Sequence, residues 1–240
     1  MSVVVREGYQ VIPQLLAASE VDSLRAAITD AIDRVARVML TRYEASCPDA
    51  ALEERIERVS RRDRAYASAL LQVVMADAQH DPRLASLANH EALSSAVRAL
   101  LAPELPTGEV IRTRAAIPSF TTQISPWHQD VIRPQEETGC ASVRLACWIP
   151  LSDVDANTGA LDVMPGMWEA PCPHTMGDGG HFAIPEDALP SGEHRVVSMR
   201  RGDVLLLDRF VPHRSRPTRG LHGRWAIVMW VKAGGARAAC

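Results

Sequence analysis

Two short polar segments of this chain contain candidate metal ligands. The first is Trp-His-Gln-Asp at 127–130. Residues i and i+2 of an extended strand point to the same face, so His128 and Asp130 are predicted to project together, with Gln129 facing away. In the second segment, an apolar run ends in a polar turn, and His213 follows the turn. Two imidazoles and one carboxylate on a β scaffold are typical of non-haem iron(II) oxygenases, with zinc as the competing metal.

A possible carboxylate-binding group lies just beyond the second segment. Ser215 is two residues after His213, and Arg224 is eleven residues after it, at the start of the last apolar run. A guanidinium forms bidentate pairs with carboxylates, and a neighbouring hydroxyl can add a hydrogen bond. These groups are suited to holding the distal carboxylate of 2-oxoglutarate, while three protein ligands would leave coordination positions open for that cosubstrate and O₂.

The first part of the chain, 1–105, must supply helices. It is rich in Ala, Leu, Arg and Glu, and its apolar residues recur at helical spacing. The first helix is predicted to begin with Ser19 as its N-cap and to continue through Val35. Three further helical stretches are predicted at 51–59, 64–79 and 91–102.

The second part, 106–235, must supply the strands that hold the polar segments. Short β-favouring runs alternate with turns there, which predicts an antiparallel sandwich or barrel. The runs are Val110–Ala116, Val143–Leu151, Ala160–Val163, His194–Ser198, Val204–Leu207 and Trp225–Val231. Two longer loops, 131–142 and 166–193, are rich in Gly, Pro and charged residues and are predicted to frame a binding site.

Bulk composition narrows the classes of partner. The chain has 240 residues, enough for one domain with a sizeable core, and its formal charge is −3. That balance gives no electrostatic footprint for nucleic acid, and no segment approaches the length of a membrane span. Five cysteines without a CxxC pair argue against a zinc–thiolate site or a disulfide framework. We therefore expect a cytoplasmic protein whose partner is a small molecule, with an oligomeric state that the sequence leaves open.

The segments above resemble the phytanoyl-CoA dioxygenase family of iron(II)- and 2-oxoglutarate-dependent oxygenases. The matching stretches, in the family's order and spacing, are WHQD at 127–130, WIPLSDV at 148–154, LDVMPG at 161–166, GDVLLLD at 202–208, HRS at 213–215, and Arg224. The resemblance implies a mainly β fold: a double-stranded β-helix, or jelly roll, at 106–235 with a helical cover at 1–105. It implies one oxygenase domain over 1–240.

The resemblance also assigns roles to individual residues. It implies iron(II) held by His128, Asp130 and His213, and 2-oxoglutarate held by Arg224 with help from Ser215. O₂ would be the second cosubstrate.

Two more positions, Gln129 and Trp148, often line the family's cosubstrate pocket. A carboxylate at Asp130 implies oxidation rather than halogenation, because halogenating relatives have a small residue there. Hydroxylation and oxidative cyclisation both remain open.

Substrate recognition is predicted to differ from that of better-known members. The family usually has Ser-His where this chain has Met167-Trp168. Trp168, His174 and His181, all in the 166–193 loop, are the candidate substrate contacts. Arg112 and Arg114 alternate before the metal motif, so one of them could face the pocket.

The two loops carry mostly acidic side chains, which would concentrate a cationic substrate. The acidic residues include Glu136, Glu137, Glu169, Asp178, Glu186 and Asp187, against Arg133 as the one basic residue. This pattern favours a small polar metabolite, such as an amino-sugar natural product made in antibiotic biosynthesis. Two other classes stay open: a cupin-like metal-dependent isomerase or epimerase, and a non-catalytic β-sandwich binding module.

Overall fold

The computed structural model describes residues 7–39, 43–121, 124–130, 142–177 and 181–234. The helices are α1 (Ala18–Met39), α2 (Leu52–Ser60), α3 (Arg64–Ala78), α4 (Pro82–Ala85) and α5 (Glu91–Leu101). The strands are β1 (Tyr9–Ile12), β2 (Leu105–Ala116), β3 (Ser142–Pro150), β4 (Leu161–Val163), β5 (Thr175–Met176), β6 (Phe182–Ala183), β7 (Arg195–Val197), β8 (Val204–Asp208), β9 (His213–Ser215) and β10 (Arg224–Gly234). Most of the predicted loop 131–142 lies outside the described residues.

The long helix α1 shows how the apolar spacing becomes a buried stripe. Val21, Leu24, Ile28 and Ile32 recur every three or four residues, and all four side chains are buried. None of the helices in the described ranges has the length and apolar character needed to cross a membrane.

The predicted N-cap of α1 is wrong. The helix begins at Ala18, one residue before Ser19, so the Ser19 side chain lies inside the first turn. The Ala17 backbone N–H donates to the Glu20 carboxylate over 2.7 Å. A glutamate that reaches back in this way satisfies one of the free N–H groups at the helix start, and it replaces the expected serine cap.

The main sheet has five strands in the order β1-β8-β3-β10-β2, and the pairs between them are antiparallel. A second sheet has three strands in the order β7-β4-β9, again antiparallel. The 166–193 loop contributes the short β5–β6 hairpin. Because β1 pairs with β8 at one edge, the beginning of the described chain is part of the β core.

The two faces of the main sheet bury different partners, which explains why β10 is apolar on both sides. Trp225, Ile227 and Met229 join the cluster that includes the helices. Ala226 and Val228, which alternate with them, join the cluster that includes the three-stranded sheet. Two packed sheets with helices on the outer face confirm the predicted fold class, a jelly-roll core with a helical cover.

Candidate metal centre and cosubstrate cavity

A single antiparallel bridge joins the two polar segments. The His128 N–H donates to the His213 carbonyl, and the His213 N–H donates to the His128 carbonyl, both over 2.9 Å. The two imidazole rings therefore lie side by side, with centroids 4.2 Å apart. Within the described residues, the segment around His128 forms an isolated bridge and no longer strand, yet the two-residue spacing still places Asp130 on the same side.

The three candidate ligands converge as the spacing predicted. Asp130 Oδ1 lies 4.0 Å from His128 Nε2, and Asp130 Oδ2 lies 3.8 Å from His213 Nε2. These distances are too long for hydrogen bonds. Two atoms bound to one ion at about 2.0–2.2 Å are separated by at most about 4.4 Å, so each His–Asp pair can share an ion. The donor set thus fits a metal coordinated by two imidazoles and a carboxylate.

Backbone carbonyls fix which ring nitrogen faces the metal position. His128 Nδ1 donates to the Pro126 carbonyl over 2.8 Å, and His213 Nδ1 donates to the Val211 carbonyl over 3.0 Å. A carbonyl oxygen only accepts, so both Nδ1 atoms carry the proton and both Nε2 atoms keep a lone pair for the ion.

The surroundings also keep His128 in its metal-binding form. Burial, together with repulsion from His213, lowers the pKa of His128 to about 3, against the opposing effect of Asp130. A neutral imidazole is the form that ligates metals, so protons compete little with an ion at neutral pH.

A buried arginine lies in the same cavity. Arg224 is only 2% exposed; its Nε donates to the Gly159 carbonyl over 3.0 Å, and its Nη2 donates to Ser215 Oγ over 3.1 Å. The guanidinium carbon lies 5.3 Å from the centroid of the Trp148 ring. Burial, with repulsion from Arg114, lowers the pKa of Arg224 to about 10, so the group is still charged at neutral pH.

The backbone beside Arg224 requires glycine. Gly159 has a φ of +85°, and a Cβ there would lie 2.8 Å from Thr218 Cγ2 and 3.0 Å from Arg224 Cβ. A larger residue would strain the backbone and displace the arginine.

One cavity joins the metal ligands to this arginine. Its walls include the three metal-ligand candidates, Ser215, Arg224 and Trp148, together with apolar side chains from β4, β8 and β10. The cavity volume is about 50 Å³, and the cavity is partly open to solvent. It therefore brings the candidate metal ligands and a buried cation together around one small, partly open space.

The structure places Gln129 outside this cavity. Its buried amide donates to the Ala170 carbonyl over 3.1 Å and to the Phe210 carbonyl, and its Oε1 accepts from the Cys172 N–H over 2.7 Å. These bonds fasten the 166–193 loop to the metal segment. The geometry therefore gives Gln129 a structural task in place of the cosubstrate contact that the resemblance implied.

The loop residues expected at the substrate also lie outside the cavity walls. His174 accepts from the Gln129 N–H over 3.0 Å, donates to the Cys172 carbonyl over 2.8 Å, and stacks on Phe182. Trp168 packs against the inner apolar cluster, and His181 sits in the β5–β6 hairpin.

Sequence reasoning missed a clamp behind the metal site. Asp162 on β4 is completely buried and accepts from Arg214 Nε over 2.9 Å and from Arg216 Nη1 over 3.0 Å. Arg214 and Arg216 alternate along the chain with His213 and Ser215, and that two-residue period was the available signal. The clamp ties the strand that carries His213 to its neighbour.

Comparison with known proteins settles the family. The family model "Phytanoyl-CoA dioxygenase (PhyH)" matches residues 4–226. The chain belongs to the phytanoyl-CoA dioxygenase family. Membership makes it an iron(II)- and 2-oxoglutarate-dependent dioxygenase by family. Comparison with curated proteins gives no match.

Solved structures of similar fold come from natural-product pathways. The chain is similar to SnoK, a non-haem α-ketoglutarate-dependent carbocyclase of nogalamycin biosynthesis, at 18% identity and a TM-score of 0.60 over 99% of this chain and 86% of that one. It is similar to EvdO2 of Micromonospora carbonacea var. aurantiaca complexed with 2-oxoglutarate, at 20% identity and a TM-score of 0.60 over 99% of this chain and 91% of that one. It is also similar to SnoN, an α-ketoglutarate-dependent epimerase of nogalamycin biosynthesis, at 16% identity and a TM-score of 0.55 over 98% of this chain and 79% of that one. At these identities the similarity concerns the fold.

Proposed function

We propose that this protein oxidises a small polar metabolite in antibiotic biosynthesis, using iron(II), 2-oxoglutarate and O₂. The observation that carries the proposal is the single cavity in which His128, Asp130 and His213 converge beside the Arg224–Ser215 pair. A metal-dependent isomerase without a keto acid would need the three ligands and would have no use for a buried arginine next to them.

The side chains divide the work of binding. His128, Asp130 and His213 would hold the iron, which supplies the redox chemistry that couples oxidation of 2-oxoglutarate to succinate and CO₂ with oxidation of the substrate. Arg224 would bind the distal carboxylate of 2-oxoglutarate, and Ser215 holds the guanidinium in place.

The cavity walls surround the reacting groups in part with apolar side chains. Trp148, Leu161, Leu207 and Val228 provide an apolar lining around the polar groups. A lining of this kind strengthens the charge–charge contacts inside and keeps solvent from competing for the metal.

The reaction outcome proposed is hydroxylation or oxidative cyclisation. The carbocyclase SnoK and the epimerase SnoN show that this fold serves both ring closure and stereochemical inversion in natural-product pathways. Epimerisation with 2-oxoglutarate is therefore the second candidate, and product analysis by mass distinguishes the outcomes, because epimerisation leaves the substrate mass unchanged.

The expectation that acidic loop residues attract a cationic substrate is supported by fewer residues in the structure than in the sequence. Glu169, Glu186 and Asp187 are exposed in the 166–193 loop, as a cationic substrate would require. Glu136, Glu137, Asp178 and Arg133 lie outside the described residues.

The test combines cosubstrate binding with turnover. Adding 2-oxoglutarate to the anaerobic iron(II) protein should produce visible charge-transfer absorption, and O₂ should then release succinate. Asp130→Ala should lose both signals, because it removes the anionic ligand of the proposed site. Asp49→Ala, at an exposed carboxylate outside the cavity walls, is the matched control and should keep both. Wild-type absorption and succinate release in Asp130→Ala would refute the assignment of Asp130 as a metal ligand.

A further inference from the structure

The edge strand β2 carries two arginines on a face that should be apolar. Arg112 pairs with Val228 and Arg114 pairs with Ala226 across the β2–β10 ladder. Val228 and Ala226 belong to the inner cluster between the two sheets, and cross-strand partners point to the same face. Both arginines therefore lie on the inner face, the one that leads into the cavity.

Arg114 forms part of the cavity wall beside the metal ligands. Its guanidinium carbon lies 5.2 Å from the centroid of the Trp230 ring, which fixes one side of the group. Arg114 is an exposed residue that lines the cavity, so a ligand that enters the cavity can meet it. Arg112 is exposed further along the strand, and its Nη1 donates to the Ile111 carbonyl over 2.9 Å.

Neither arginine has a carboxylate partner in the part of the chain that the structure describes, where the nearby Asp130 belongs to the metal site. Other arginines of the described chain do have such partners: Arg83 pairs with Asp81 at 2.7 Å, and Arg144 pairs with Glu104 at 3.0 Å. Two neighbouring cations on one face repel each other, so an anion brought by a ligand would relieve that repulsion.

The cosubstrate does not supply this anion in the binding mode proposed above. Arg224 would hold the distal carboxylate of 2-oxoglutarate and the metal would hold its other end, which leaves Arg112 and Arg114 for another molecule. We propose that Arg112 and Arg114 form the substrate subsite and that the substrate carries a carboxylate. This inference rests on the proposed function and deepens it. It favours an anionic substrate over the cationic one suggested by the loop composition.

The probes are three molecules with one ring system and different charge: 1-naphthoate, 1-naphthamide and 1-naphthylmethylammonium. Binding is measured on the anaerobic protein loaded with iron(II) and 2-oxoglutarate, by the change in charge-transfer absorption and by tryptophan fluorescence. A charge-assisted contact to arginine predicts that naphthoate binds about ten- to a hundredfold tighter than naphthamide, with the ammonium weakest. Added salt should reduce this preference, because Arg112 is solvent-exposed.

Single substitutions test which arginines produce the preference for naphthoate. Arg112→Ala and Arg114→Ala should each reduce the preference for naphthoate about tenfold, and Arg114→Lys should retain part of it because the charge remains. Arg98→Ala, an exposed arginine on the helix α5, is the matched control and should change nothing.

The outcomes separate this inference from the proposed function. If 2-oxoglutarate gives no charge-transfer absorption in the wild type, the proposed function fails. If that absorption forms but naphthoate has no advantage, the ammonium binds best, or no probe binds at millimolar concentration, the carboxylate proposal is overturned. It is also overturned if Arg114→Ala weakens 2-oxoglutarate while Arg112→Ala leaves naphthoate binding intact, because the arginine would then serve the cosubstrate.

Discussion

Replacing Arg224 with glutamine removes the buried charge of the cavity and keeps a polar side chain in its place. The arginine has five N–H donors, of which one is held by the Gly159 carbonyl and one by Ser215 Oγ. The other donors can form a bidentate pair with a carboxylate. Glutamine offers a neutral amide without that fork, so the variant tests the charge and the geometry together.

The expected magnitude follows from these contacts. A charge-assisted bidentate contact contributes roughly 1.5–3 kcal/mol, so 2-oxoglutarate should bind about ten- to a hundredfold more weakly. Losing the donor to the buried Gly159 carbonyl costs about 1–3 kcal/mol of unfolding free energy. At about 2–4 °C per kcal/mol for a chain of this size, the Tm should fall by several degrees while the protein stays folded at room temperature.

The assay is an anaerobic titration of the iron(II) protein with 2-oxoglutarate, followed by charge-transfer absorption. Ser215→Ala is the graded comparison: it removes the hydroxyl that holds the guanidinium but leaves the charge in place, so affinity should fall less, about two- to tenfold. Iron affinity should change little in either variant, because neither residue is in the ligand set. Unchanged 2-oxoglutarate affinity in folded Arg224→Gln would refute the reasoning and pass the cosubstrate role to Arg114.

Three further predictions follow from the surroundings of the site. Asp162→Asn should lower the unfolding free energy by on the order of 1–3 kcal/mol, and so the Tm by several degrees. It should also weaken iron binding, because the clamp ties β9, which carries His213, to β4. Thermal unfolding with and without iron measures both effects. Asp22→Asn, which breaks an exposed pair with Arg201, is the control and should change neither the Tm nor iron binding. Gly159→Ala should weaken 2-oxoglutarate binding in the same titration while leaving iron binding intact, whereas Gly108→Ala, where an added Cβ meets nothing within 4 Å, should be silent. Burial raises the pKa of Cys147 to about 12, so its thiol stays protonated at neutral pH. Iodoacetamide should therefore label the partly exposed Cys47 and leave Cys147 unmodified until the protein unfolds. Peptide mass spectrometry measures the labelling of each cysteine. Labelling of Cys147 in the native protein would contradict its packing.

Local periodicity accounts for the parts of the molecule that the sequence predicted well. The stretches 51–59, 64–79 and 91–102 were predicted as helices, and α2, α3 and α5 occupy them to within one residue at each end. The two-residue spacing of His128 and Asp130 placed them together, because the strand period is a property of the backbone itself. The cap of α1 was missed, because Ser19 and Glu20 both offer local partners and sequence does not rank them.

Residue type and short-range period were enough to identify the metal-ligand candidates, the arginine and hydroxyl that accompany them, and an antiparallel β fold; the jelly roll followed from the family resemblance. The positions and contacts of Gln129, Asp162 and Arg114 became known from the folded chain. Gln129 binds loop residues, Asp162 binds two arginines about fifty positions away, and Arg114 reaches the cavity through its register with Ala226. These contacts depend on strand register and packing between distant segments, and no local propensity encodes them.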